Sequence, residues 1–131
     1  MVTQNTNEIL VSAESTYQEQ YSEPIHDQYV FSYRIKIENK SGRPVQLLAR
    51  RWEVIDATGE RRQVEGEGVV GQQPVIQPGH SYEYNSWVQF GTRQGAMQGS
   101  YVMARTDRRG RQTYFEAEVP RFLHVAPEAL N

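Results

Sequence analysis

Tyr29, Phe31, Tyr33, Ile35 and Ile37 alternate with Val30, Ser32, Arg34, Lys36 and Glu38. A strict period of two places one set of side chains on one face of an extended chain and the other set on the opposite face. This stretch can be satisfied only by a β-strand with one buried face. Nowhere in the chain is there sustained helical periodicity, so the same logic governs the rest of the fold.

Six other stretches repeat the pattern. Ile9 to Tyr17 places Ile9, Val11, Ala13 and Tyr17 on one face. Val45 to Asp56 changes phase between Leu47 and Trp52, which predicts a bulge near Leu48 to Arg51. Arg61 to Glu65 is a short polar strand. His80 to Phe90 alternates Tyr82, Tyr84, Val88 and Phe90 with Glu83, Asn85, Trp87 and Gln89. Met97, Tyr101 and Met103 share a face, as do Thr113, Phe115, Ala117 and Val119, where Pro120 is expected to end the strand. Phe122, Leu123 and Val125 are expected to fasten the tail to the body. Turn-forming residues punctuate these runs at Asn39 to Pro44, Asp56 to Gly59, Gly91 to Gly95 and Asp107 to Gly110. Seven short strands at regular spacing predict an all-β, immunoglobulin- or fibronectin type III-like antiparallel β-sandwich. Phe31, Tyr33, Ile35, Leu47, Trp52 and Tyr101 are the expected core. Residues 1–7 are expected to be a flexible N-terminus and 8–127 a single domain.

Composition narrows the classes. A chain of 131 residues suits one domain and buries roughly two-thirds of its unfolded surface. It has no cysteine, so it lacks the disulfide of antibody domains and any thiolate metal site. The polar start, Met1 to Asn7, does not read as a signal peptide, and no apolar run is long enough to span a membrane. The expected setting is cytoplasmic. A net charge of −2 argues against nucleic acid as the main partner. His26, His80 and His124 lack metal-ligand spacing, and Glu116 with Glu118 reads as a solvated strand face. No nucleophile-elbow sequence supports a hydrolase. Neither a cofactor, a catalytic residue nor a metal site is expected.

One segment goes beyond packing. Val64-Glu65-Gly66-Glu67-Gly68-Val69-Val70-Gly71-Gln72-Gln73-Pro74-Val75-Ile76-Gln77-Pro78-Gly79 combines four glycines and two prolines, the residues that shape loops. Gly66 to Gly71 satisfies G-x-G-x-x-G, but Pro74 and Pro78 prevent the helix that a dinucleotide fold requires. Counting antiparallel reversals puts the connections 39–44, 66–79 and 107–110 at one end, and 18–27, 56–60 and 91–95 at the other. The first end would gather Gly66, Gly68, Val69, Val70 and Gly71 with Lys40, Arg43, Arg108 and Arg109. Exposed valines there would suit a protein partner. A cup of amides facing Arg108 and Arg109 would suit a phosphate-bearing anion such as pyrophosphate or a dinucleoside polyphosphate.

Tyr29 to Ile35, Pro44 to Trp52, Val64 to Pro74 and Met97 to Tyr101 closely resemble, in the same order, the bacterial ApaG family. The resemblance covers about residues 8 to 127. It implies a fibronectin type III-like sandwich, a link to cobalt and magnesium resistance at the level of the family, and kinship with domains of eukaryotic F-box and polymerase-interacting proteins that mediate protein contacts. Its members are commonly encoded near a diadenosine tetraphosphate hydrolase. The expectation is a non-enzymatic module that docks another protein, as a monomer or weak homodimer, with anion binding as the alternative.

Overall fold

The computed structural model describes residues 1–127. Nine strands follow one another: β1 (Val2–Thr6), β2 (Ile9–Tyr17), β3 (Tyr29–Asn39), β4 (Val45–Asp56), β5 (Arg61–Glu67), β6 (Val75–Ile76), β7 (Ser81–Phe90), β8 (Gln94–Thr106) and β9 (Gln112–Val125). Two single-turn 3₁₀ helices, Glu19–Tyr21 and Pro24–His26, lie between β2 and β3. One sheet has the order β1-β2-β3-β7; the other has β5-β4-β8-β9, with β6 also on β4. Every pairing is antiparallel. The two sheets form the immunoglobulin- and fibronectin-like sandwich that the alternation predicts.

The core is built from the expected faces. Phe31, Tyr33, Ile35, Leu47, Trp52 and Tyr101 are all buried, with Ile9, Val11, Val45, Met103 and Ala117 around them. Aromatic edges pack the core: Trp52 meets Tyr33 of the opposite sheet at 5.8 Å and Tyr101 of its own sheet at 6.0 Å, both edge-on, a favoured geometry for ring quadrupoles. The phase slip in β4 is a bulge between Leu47 and Ala49.

Three expectations change. Residues 1–7 are not a free segment. Asn7 and Glu8 take positive φ values of 49° and 67° and turn Val2–Thr6 back against β2 in register. The Thr6 hydroxyl accepts from the Glu118 amide at 3.2 Å, and the Asn7 carbonyl accepts from Arg105 at 2.7 Å. β1 therefore closes the flank between β2 and β9. Its side chains are nearly all exposed, so no apolar rhythm advertised it. Pro120 does not end β9. The ladder shifts register between Met97 and Gly99, and Pro120 occupies that irregularity, where its missing N–H interrupts no ladder bond. Consequently Phe122, His124 and Ala126 go inside, while Leu123 and Val125 face solvent.

Candidate functional site

The glycine-rich segment is a small hairpin set into a sheet edge. β5 continues to Glu67, so Gly66 is a strand residue opposite Arg50. The Gly68 amide then donates to the Leu48 carbonyl at 2.8 Å. Val69 and Gln72 exchange both backbone bonds, at 2.8 and 2.9 Å. The two residues between them, Val70 and Gly71, have φ values of 42° and 78°. Positive φ at both central positions defines a type I′ turn, whose twist suits a two-residue hairpin. Gly68 itself has φ 61°, and a Cβ there would lie 2.1 Å from the Gln72 carbonyl oxygen. After the hairpin, Gln73 Nε2 donates to the Leu48 carbonyl at 2.9 Å and β6 resumes pairing with β4. The β4 bulge frees the Leu48 carbonyl from its ladder, and that one oxygen anchors both feet of the excursion.

Val69 is completely buried, whereas Val70 is 58% exposed. The two valines divide the work of anchor and tip. A β-branched residue in the left-handed region is a true outlier, and such strain costs roughly 1–3 kcal/mol.

Arg50 organises this hairpin, a role that sequence reasoning did not assign to it. Its guanidinium lies over Gly66, where a Cβ would approach it to 2.8 Å, and it donates to the carbonyls of Glu67 and Gly68 at 3.2 and 2.9 Å. The available signal was phase: Arg50 shares the inward phase of Trp52 and Val54. From there its charge also faces the bonded hydroxyls of Tyr84 and Tyr101. Burial raises both phenol pKa values, and the arginine lowers them by a lesser amount.

The parity count places the connections correctly but not the hairpin. Asn39, fully buried, donates to the carbonyls of Arg43 and Ile76 at 2.8 and 2.9 Å. Its own carbonyl accepts from Gly79, whose φ is 78°. Arg43 Nε donates to the Thr106 carbonyl at 3.1 Å. Thus 39–44, 76–80 and the start of the 107–110 turn share one end, with Lys40 exposed near Glu38. Asn39 is the second residue that sequence reasoning missed, because a turn asparagine carries no mark of burial. Gly66, Gly68 and Gly71 lie instead along the β5 edge. Arg108 and Arg109 sit in the β8–β9 turn, on the far side of β4 and β8. The amides of Gly68 and Val69 are already bonded within the protein. The cup of free amides facing two arginines is therefore not formed.

Elsewhere, Glu116 accepts from Arg51 and from the Ser100 hydroxyl, both at 2.9 Å, as an outer-face network. His26 pairs with Glu23 at the surface, and His124 is buried among aromatic rings. Among the described residues no three His, Cys, Asp or Glu side chains gather as metal ligands, and no helix is long and apolar enough to cross a membrane.

A family model described as DUF525, ApaG domain, matches residues 19–105. The chain belongs to the ApaG family. Protein ApaG of Anaeromyxobacter dehalogenans (strain 2CP-1 / ATCC BAA-258) is 42% identical over 131 residues, all of both chains. Protein ApaG of Brucella canis is 45% identical over 123 residues, 94% of this chain and 92% of the relative. A crystal structure described as the ApaA protein from Bordetella pertussis superposes with a TM-score of 0.85 at 35% identity, covering 92% of this chain and 95% of that one. The ApaG resemblance drawn from scattered motifs thus holds over the full length of relatives.

Proposed function

We propose that this ApaG-family chain is a non-enzymatic docking module, and that the tip of the glycine-rich hairpin is where it meets a protein partner. The observation that carries the reading is Val70. It is 58% exposed, and a φ of 42° holds it in a strained conformation. A surface valine gains nothing for folding from such a position. Strain of this kind clusters at functional sites, where the surrounding structure over-determines it. Here Arg50, the Leu48 carbonyl and buried Val69 supply that over-determination. Val75, also exposed, extends apolar surface along the same edge. A cytoplasmic setting belongs to the same proposal.

The test is Val70→Asn. Asparagine tolerates the left-handed region and gives the Asn-Gly pair that type I′ turns prefer. The variant is expected to gain about 1 kcal/mol in urea unfolding while losing whatever partner the wild-type protein captures from source-cell extract. A more stable protein that no longer captures its partner assigns the tip to docking. Equal capture by wild type and variant would remove the tip from the site.

A further inference from the structure

The two sheets leave one flank of the sandwich open. β1 and β9 close one side, but β7 and β5 pair with only one neighbour each. The two edges differ. β5 carries Arg61, Arg62, Glu65 and Glu67, all exposed, and charged edges of this kind resist strand addition. β7 presents Ser81, Glu83, Asn85, Trp87 and Gln89 on its outer face, and its single charge, Glu83, is paired with Arg34 at 2.8 Å. From Ser81 to Trp87 this edge carries no unpaired charge; its Gln89 end is capped by Arg62.

The hydrogen bonds fix which backbone groups it offers. The His80 carbonyl accepts from Asn39, toward β3. The Gln89 carbonyl accepts from Arg62, away from β3. Backbone groups alternate sides along a strand, and the β3–β7 register is unbroken. Glu83, Asn85 and Trp87 therefore point both N–H and C=O out of the sheet, with no neighbouring strand among the described residues to receive them.

Beside this row stands an aromatic pair. Trp87 is 55% exposed and Tyr21 59% exposed. Their rings meet edge-to-face at 5.4 Å and 88°. Trp87 lies on the outer face of β7, as the alternation predicts, while Tyr84 and Phe90 take the core. The connection beside the pair is acidic, while the cations nearest β7 are Arg62 at its Gln89 end and Arg34 and Lys36 on β3. Glu19, Glu23 and Asp27 occupy the exposed 18–27 connection with Tyr21. Glu14 lies opposite Arg34 on the neighbouring strand.

We infer that β7 is a strand-addition site for an extended, basic segment of a partner protein. The inference rests on the docking reading for the class of partner and adds a surface separate from the Val70 tip. The incoming strand pairs with the outward groups of Glu83, Asn85 and Trp87. Its side chains on the outer face alternate at the spacing of the β7 residues. One packs on Trp87, whose face also attracts a cation. The acidic connection favours lysine and arginine at the flanking positions.

The probe is a capped octapeptide that alternates arginine or lysine with valine, beside the same peptide with glutamate at every basic position. At roughly millimolar peptide, the basic version is expected to shift the amides of Glu83, Asn85 and Trp87 and the Trp87 indole in nitrogen–proton spectra. Raised salt should weaken it, since exposed charges are screened. Asn85→Pro deletes one outward donor at an edge position where proline is tolerated. Trp87→Ala deletes the exposed ring. Each is expected to weaken binding roughly tenfold, and the alanine variant stands alone if the proline variant does not fold. Equal binding of the acidic peptide, or no shift on β7, would overturn the inference. A dimer in sedimentation that Asn85→Pro disperses would also overturn it, by putting a second copy on the edge. Shifts at Val70 and Gly71 with β7 silent would overturn it while leaving the docking reading intact. Binding at β7 that survives Val70→Asn supports it whatever that variant does to capture.

Discussion

At the scale of single residues, the protein places two groups in conflict with their surroundings. Val70 is one, in its backbone. His124 is the other, in its protonation. Its ring is fully buried against Phe31, Phe90 and Phe122, with Nδ1 bonded to the Ser15 hydroxyl at 2.7 Å and Nε2 without a partner among the described residues. Burial lowers its pKa to about 4. The folded pKa lies below the unfolded one, near 6.5. The unfolded chain therefore binds a proton, between those two values, that the folded chain refuses. Stability is full above about pH 6.5 and falls as pH drops toward 4. The expected loss between pH 7 and pH 5 is about 2 kcal/mol in urea unfolding. His124→Leu should abolish that part of the slope; an unchanged slope would mean other groups carry it. The sequence showed a histidine in the alternating tail but not the ring cage, since only the continuation of β9 past Pro120 brings it inside.

At the scale of elements, the hairpin depends on Arg50 as well as on its own glycines. Arg50→Ala leaves the Glu67 and Gly68 carbonyls without their donor, and an alanine cannot cover Gly66. The expected cost is about 2 kcal/mol, with faster amide exchange confined to Gly68, Val69 and Gln72. Arg50→Lys keeps the charge but loses the planar fork and should fall between. Uniform exchange across the sandwich would show that Arg50 supports the core rather than the hairpin. The turn chemistry of Val64 to Gly79 was legible because glycine and proline act locally. That it is an excursion from a sheet edge, and not a loop at the sandwich end, was not. That depends on the Leu48 bulge in a strand distant in sequence.

At the scale of the whole molecule, closure of one flank and not the other decides which surfaces are free. Removing residues 1–7 deletes β1 and its bonds to Glu118 and Arg105. The expected result is about 2 kcal/mol less stability, read by urea unfolding, with faster exchange along β2 and β9. Unchanged stability would show that β1 lies outside the cooperative unit. By itself the sequence determined seven of the nine described strands, their inward faces up to Pro120, the bulge in β4 and the sandwich class. Those follow from alternation and turn residues, which are properties of neighbours along the chain. Tertiary structure alone decided that β1 seals one flank, that Arg50 reaches the hairpin, that Arg108 and Arg109 stand apart from it, and that β7 remains open. Each of these depends on which strands lie side by side, and side-chain rhythm within one strand carries no record of its neighbour.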